Sequence, residues 1–241
     1  MNKCCLLLIS FSTVFNAIAA ENSTAELLSL KEKVNGAIIK FEQTKQDLWS
    51  YEVSRYEDEE GDISSSIAQY SPQASERWIL KKINGQQPTS KQVNHFMKKK
   101  KEQSNNRKQG KNIDLKLRKL INQESLSLIS TDEKEIVMGF NVKLTKLGKN
   151  SVGKLQGKLI YQKDKQFIET IYIWNNTEFS PMFTANITEL SITFTFSNIN
   201  GAVLVKQNEM KMKGSFAYFT EINETSVDNF SGYLYQGKQI K

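Results

Sequence analysis

Leu190-Ser191-Ile192-Thr193-Phe194-Thr195-Phe196-Ser197 alternates apolar and hydroxyl side chains without a break. Successive side chains of a β-strand point to opposite faces, so Leu190, Ile192, Phe194 and Phe196 share one face and the four hydroxyls share the other. A strand of this kind belongs to an antiparallel sheet with one buried and one wet face.

The same alternation extends in both directions. Upstream, Ile136, Met138, Phe140, Val142 and Leu144 form an apolar file, preceded by a candidate strand over 124–130. Residues 155–161 and 167–174 read as a hairpin, and 175–182, which holds Pro181, reads as a loop. Downstream, a turn at 198–201 leads to a strand with Met210, Met212, Phe216 and Tyr218 on one face, and 230–235 closes the set. Nearer the start, Trp49, Tyr51 and Val53 open a meander that returns over 63–70 and 77–83. The acidic run from Glu57 to Asp62 reads as a hairpin tip. It is not read as a calcium loop, because Gly61 is misplaced and the twelfth position is Gln69. The reading comes to about ten strands.

Two helices accompany them. Leu27, Leu30, Val34, Ile38 and Phe41 recur at three- and four-residue steps, behind a capping box of Ser23 and Glu26, which predicts a helix to about Thr44. Gly36 in its middle would mark close approach to a neighbour. Thr89 or Ser90 caps a short helix over 91–101, which ends in Lys98, Lys99, Lys100 and Lys101. The polar stretch that follows reads as disordered, so a lysine-rich, disordered insertion is expected at about 98–112.

Met1-Asn2-Lys3, the apolar run from Cys4 to Phe15 and the small residues Ala17-Ile18-Ala19 read as a secretory signal over 1–20, cleaved near Ala19 or Ala20. Residues 21–241 then form a single domain in the periplasm or outside the cell. Both cysteines, Cys4 and Cys5, leave with the leader, so the mature chain has neither disulfide nor thiolate. Lys and Arg number 33 against 26 Asp and Glu, a mild excess of +7 that falls by one with Lys3. That balance permits contact with an anionic membrane surface without demanding it. No aromatics are interleaved with the lysines, so nucleic acid is not an expected partner. Sequons stand at Asn22, Asn175, Asn186, Asn223 and Asn229 and matter only in a glycosylating host.

His95 is the only histidine, which rules out a His-rich zinc site, and no G-x-S-x-G elbow or phosphate-binding glycine loop is present. Paired carboxylates leave no spacing signature, so a glycosidase stays open as a minor reading. The expectation is a non-enzymatic, monomeric protein without cofactor or metal.

A one-faced sheet of this size must cover its apolar face, and a stripe of five helical residues is too small to do it. The face must curl on itself or bind something. The predicted fold is therefore mainly β (α+β): a curved antiparallel sheet forming a half-barrel, covered by the N-terminal amphipathic helix and the short inserted helix. The expected lining of its apolar hollow is Met138, Phe140, Leu190, Ile192, Phe194, Phe196, Met210, Met212, Phe216 and Tyr218, with soft Met side chains suited to adaptable contacts.

The leader, the amphipathic helix ending in Phe41 and Thr44, the aromatic strand with Trp49 and Tyr51 and the long antiparallel run to the C-terminus together resemble the LolA/LolB family of periplasmic lipoprotein carriers. The likeness lies in architecture and transfers no motif. It implies an incomplete β-barrel closed by helices, with acyl chains held in the hollow. The expected ligand is thus a lipid or an acylated protein. The alternative is an envelope interaction module with a packed core, in which Lys98, Lys99, Lys100 and Lys101 meet a partner or an anionic membrane.

Overall fold

The computed structural model describes residues 12–108, 116–142, 149–217 and 220–237. Helix α1 (Ser12–Gln43) leads into β1 (Trp49–Glu59), β2 (Asp62–Tyr70) and β3 (Trp78–Ile83). Helix α2 (Ser90–Lys108) and the single turn α3 (Leu117–Leu120) come next. They are followed by β4 (Ser127–Thr131), β5 (Glu135–Asn141), β6 (Leu155–Gln162), β7 (Phe167–Asn175), β8 (Phe179–Met182), β9 (Ala185–Ile199), β10 (Ala202–Phe216) and β11 (Thr220–Tyr235). All strands join one antiparallel sheet in the order β3-β2-β1-β11-β10-β9-β7-β6-β5-β4, with β8 paired to β9 off this path. The sheet is open and curved, a half-barrel with β3 and β4 as its free edges. The first strand lies beside the last, with Trp49 opposite Tyr235.

Cross-strand partners share a face. One row can be followed across ten strands by register: Leu128, Met138, Leu159, Ile171, Phe194, Asn208, Asp228, Arg55, Ser66 and Ile83. The row is apolar from β4 to β9 and polar from β10 to β2. That switch matches the placement of α1, which packs mainly on β7 and β10. Leu30, Val34, Ala37 and Ile38 of α1 are buried in one core with Met138, Leu159, Ile171 and Phe196, and Leu27 and Phe41 pack at its margin. Full burial of a side chain such as Val34 or Ile38 contributes about 1.5–3 kcal/mol. The Phe41 ring meets Phe196 edge-on at 5.3 Å, and the Val203 N–H donates to Thr44 Oγ1 at 3.1 Å, which fixes the end of the helix to β10. Arg118, on α3, donates to Asn35 and Glu42 and ties α3 to α1.

Several expectations need correction. α1 begins at Ser12 and runs through Ser23 and Glu26, so no cap forms there; nothing between Ser12 and Phe41 breaks a helix, and a cap acts only where one starts. Among the residues whose side chains are described, those of α1 that join the core are Leu27 and Phe41, at its margin, and Leu30, Val34, Ala37 and Ile38, buried in it, all downstream of the expected cleavage point. Gly36 approaches nothing, since open space lies where its Cβ would be. Residues 98–108 are helical rather than disordered, and 109–115 lie outside the described residues. α3 and a 3-10 turn at Gln123–Ser125 take the place of an earlier strand start, so β4 begins at Ser127. Pro181 sits in the short strand β8, whose pairing with β9 alone leaves one side on which a missing N–H costs nothing. Finally, β11 starts ten residues before the expected closing strand.

Gly36 is exposed inside a helix, where glycine is about 1 kcal/mol worse than alanine. Gly36→Ala should raise the unfolding free energy by about that amount, measured by urea denaturation. A loss of stability would mean that a neighbour packs against Gly36 after all.

Candidate functional site

The inner face of the sheet divides in two. Under α1 it is sealed by protein. Met138, Phe140, Leu190 and Phe196 are all buried there, Met138 completely, and face the protein's own helix rather than a hollow. Phe140 also stacks over Gly157, where an added Cβ would fall 2.3 Å from the ring. Ile192, Phe194, Met210 and Met212 lie half-buried at the margin of this core. Phe216, at the far end of β10, is 45% exposed. It ends the strand opposite Ala185, outside the buried core. Tyr218 lies outside the described residues. A hollow of about 300 Å³ beside Gly36, Lys40, Tyr161 and Gln166 is shallow, with a mixed polar and apolar lining, and is not an enclosed acyl-chain cavity.

Past β10 no helix among the described residues roofs the inner face as α1 does. Its floor is organised in rows across β3, β2, β1 and β11. Trp78, Tyr70 and Tyr51 are successive cross-strand partners, and Tyr233 adds the next ring, 5.4 Å from Tyr51. Tyr70 and Trp78 lie 5.1 Å apart, and Phe230 stands 5.7 Å from Tyr51. Leu80, Ala68, Val53 and Phe230 form the next row. Aromatic pairs at these distances add about 0.5–1.5 kcal/mol each beyond their burial. Tyr51, Tyr70, Trp78, Phe230 and Tyr233 are only half-buried. Tyr233 donates its hydroxyl to the Val205 carbonyl at 2.6 Å, and its burial, with Tyr51 beside it, holds that hydroxyl protonated far above the usual phenol range.

Next along the floor comes charge. Arg55 donates through Nε and Nη2 to the two carboxylate oxygens of Asp228, each at 2.6 Å. That bidentate bond is the main reason its guanidinium is held even more firmly charged than usual, with Glu57 assisting. Beside Asp228, the Oδ1 of Asn208 is buried without a hydrogen-bond partner among the described residues. Beyond this row Glu57 and Ser226 flank the path, and Glu59, Asp62 and Glu224 make the last row acidic.

α2 forms the rim at β3. Of the two expected caps Thr89 is the one used, and it closes a capping box with Gln92: Gln92 N–H donates to Thr89 Oγ1, and Thr89 N–H to Gln92 Oε1. Val93, Phe96, Met97 and Lys100 are its half-buried positions, at helical spacing. Phe96 meets Trp78 edge-on at 6.3 Å. The lysine run is thereby split. Lys98, Lys99 and Lys101 are exposed, while Lys100 places Nζ 4.0 Å from the Trp78 ring centroid and 5.2 Å from that of Phe96.

The aromatic floor was hidden in the sequence because its members come from four separate strands, one or two per strand. The alternation of Trp49, Tyr51 and Val53, with Tyr70 and Trp78 at facing ends of a hairpin, was the available signal. Among the described residues, no group of three or more His, Cys, Asp and Glu is placed to hold a metal ion. Nor is any described helix long and apolar enough to cross a membrane.

Glu224 has its carboxyl pushed up, chiefly by burial and then by Glu59 and Glu60. A folded-state value above the unfolded one means that ionisation works against folding, so this penalty is absent in acid and present above the raised value. Glu224→Gln should therefore be the more stable protein at pH 7, and its advantage should fade as the pH falls through the carboxylate range. Parallel melting curves from pH 3 to 8 measure this. An advantage unchanged by acid would show that ionising Glu224 carries no penalty in the folded protein.

No family model matches the chain, and neither does any curated protein. Among solved structures, it is similar to the crystal structure of a DUF1329 family protein from Desulfovibrio piger ATCC 29098, at 9% identity, over 84% of this chain and 92% of that one, with a TM-score of 0.34.

Proposed function

We propose that this is an exported, non-enzymatic binding protein, periplasmic or secreted and monomeric, that shelters an acyl chain or another apolar ligand, free or attached to a protein, on the inner face of its half-barrel. One observation carries the reading. The row Trp78, Tyr70, Tyr51 and Tyr233 lies half-exposed on the same face that α1 seals farther along. Rings left open to water over four adjacent strands are a standing cost unless something apolar covers them. The resemblance to the LolA/LolB carriers supports the same reading, and the leader supports export. The site differs from the one expected from sequence: Met138, Phe140, Leu190 and Phe196 build the wall behind it, while the ligand rests on the aromatic rows. Ile192, Phe194, Met210 and Met212 border it.

The exposure of Lys98, Lys99 and Lys101 favours a second, compatible role, contact with an anionic membrane surface. Each lysine near such a surface contributes about 1 kcal/mol.

Organic extraction and mass spectrometry of protein purified without detergent should recover a lipid in near-stoichiometric amount. The double variant Tyr70→Ala/Trp78→Ala should retain about tenfold less while keeping its circular dichroism. Repeated recovery of no lipid from the wild-type protein would overturn the proposal.

A further inference from the structure

We infer that the paired tips of the β8–β9 and β10–β11 hairpins insert into the surface of a neutral, zwitterionic lipid bilayer. The inference does not depend on a ligand in the groove.

The two tips stand side by side. Phe216 pairs with Ala185, and the Ala217 N–H donates to the Thr184 carbonyl at 2.6 Å. Phe183 shares a hollow of about 260 Å³ between them with Thr184, Asn186 and Ser215. Apolar side chains crowd this end. Phe183 is 91% exposed, Met182 58% and Phe216 45%. No charged residue occurs from 179 to 187 or from 214 to 217. Other turns of the sheet are polar: Glu60-Gly61, Asn84-Gly85, Asp132 to Lys134, Lys163 to Lys165 and Asn200-Gly201. Exposed rings are therefore not a general property of this protein's turns. A ring that touches so little of its own chain adds nothing to the core and leaves apolar surface in water.

Size and charge identify what covers the tips. At roughly 200 Å² for a large side chain, the exposed parts add up to about 400 Å². A stable protein interface takes about 800 Å² from each partner. A bilayer surface asks for no matching shape, and aromatic and apolar side chains settle at headgroup depth. The flanking lysines are engaged. Lys213 pairs with Glu189 and Lys211 with Glu209, both at 2.9 Å, and Lys154 Nζ donates to the Glu178 carbonyl at 2.8 Å. The neighbouring β1–β2 tip is acidic, with Glu59 opposite Glu224. With these lysines committed and carboxylates alongside, an anionic surface gains little, so a neutral bilayer is the one that fits. This contact is distinct from the one offered by Lys98, Lys99 and Lys101. From Tyr51, in the row that α2 borders, to Glu59 is about 27 Å along β1, and the tips lie beyond. The two contacts therefore sit at opposite ends of the sheet.

The test places an environment-sensitive nitrobenzoxadiazole dye at one of two positions in the full chain, with Cys4 and Cys5 replaced by serine. Thr184→Cys reports on the tips and Lys99→Cys on α2. Each protein meets vesicles of pure phosphatidylcholine, and vesicles of phosphatidylcholine mixed with phosphatidylglycerol. A local dye is needed because the apolar stretch from Cys4 to Phe15 can carry the chain to vesicles with the tips still in water. With pure phosphatidylcholine the dye at 184 should shift to the blue and the dye at 99 should not. The shift at 184 should persist in about 1 M salt, where charges are screened beyond about 3 Å. Adding Met182→Ser/Phe183→Ser should weaken the partitioning read at 184 about tenfold. The melting temperature should not change, because both side chains are exposed. Water-like emission at 184 with pure phosphatidylcholine would overturn the inference and leave the tips to a protein partner. A shift that needs phosphatidylglycerol, or one that survives Met182→Ser/Phe183→Ser undiminished, would also overturn it. Each of these results leaves the groove reading standing.

Discussion

Val34 and Ile38 of α1 are completely buried in the same core as Met138, Leu159 and Ile171, and that contact sets the terms for the rest of the fold. A single helix presents an apolar stripe only a few residues wide, whereas the sheet has eleven strands. One helix can therefore complete the core over one part of the inner face only. The long cross-strand row from Leu128 to Ile83 records the boundary: it changes from apolar to polar between Phe194 and Asn208, at the margin of the core that α1 completes. Where the helix lies, the residues can be purely apolar; where it does not, they must tolerate water.

The uncovered part is not simply a solvated sheet. Its aromatic rows come first, its ion pair next and its carboxylates last, so polarity rises along the strands from the Tyr51 row to the hairpin tips. Rings serve such a surface well because they offer large apolar area with little side-chain entropy to lose, and the tyrosine hydroxyls tolerate water. The meeting of β1 with β11 is what assembles this floor, since Tyr51 and Tyr233 come from opposite ends of the chain and reach each other only there. α2 then places a lysine where the rings end.

The α1-covered half was legible in the sequence because burial enforces strict alternation. Ile136, Met138 and Phe140 in β5, and Leu190 to Phe196 in β9, could be placed on the correct face from their spacing alone. β11 was only partly legible. Its inward positions include Asp228, Ser226 and Glu224, which carry no apolar signal and have no helix among the described residues packed over them. The aromatic floor was illegible for a different reason: its rows run across strands, and register is decided by pairing between distant segments. The Gly232 bulge, with φ of 65°, shifts that register once more and brings Tyr233 beside Tyr51. The lysine run misled because four like charges in sequence resemble a solvated tail, while helical spacing turns one of the four inward.

The division of the inner face into a sealed and an open half can be measured directly by thiol accessibility. With Cys4 and Cys5 replaced by serine, Tyr70→Cys and Ile171→Cys each provide a single reporter, one on the open floor and one beneath α1. Under native conditions a maleimide should label position 70 within about tenfold of the unfolded-chain rate, and position 171 only as fast as the protein opens. Equal protection of both, or equal labelling of both, would contradict the account.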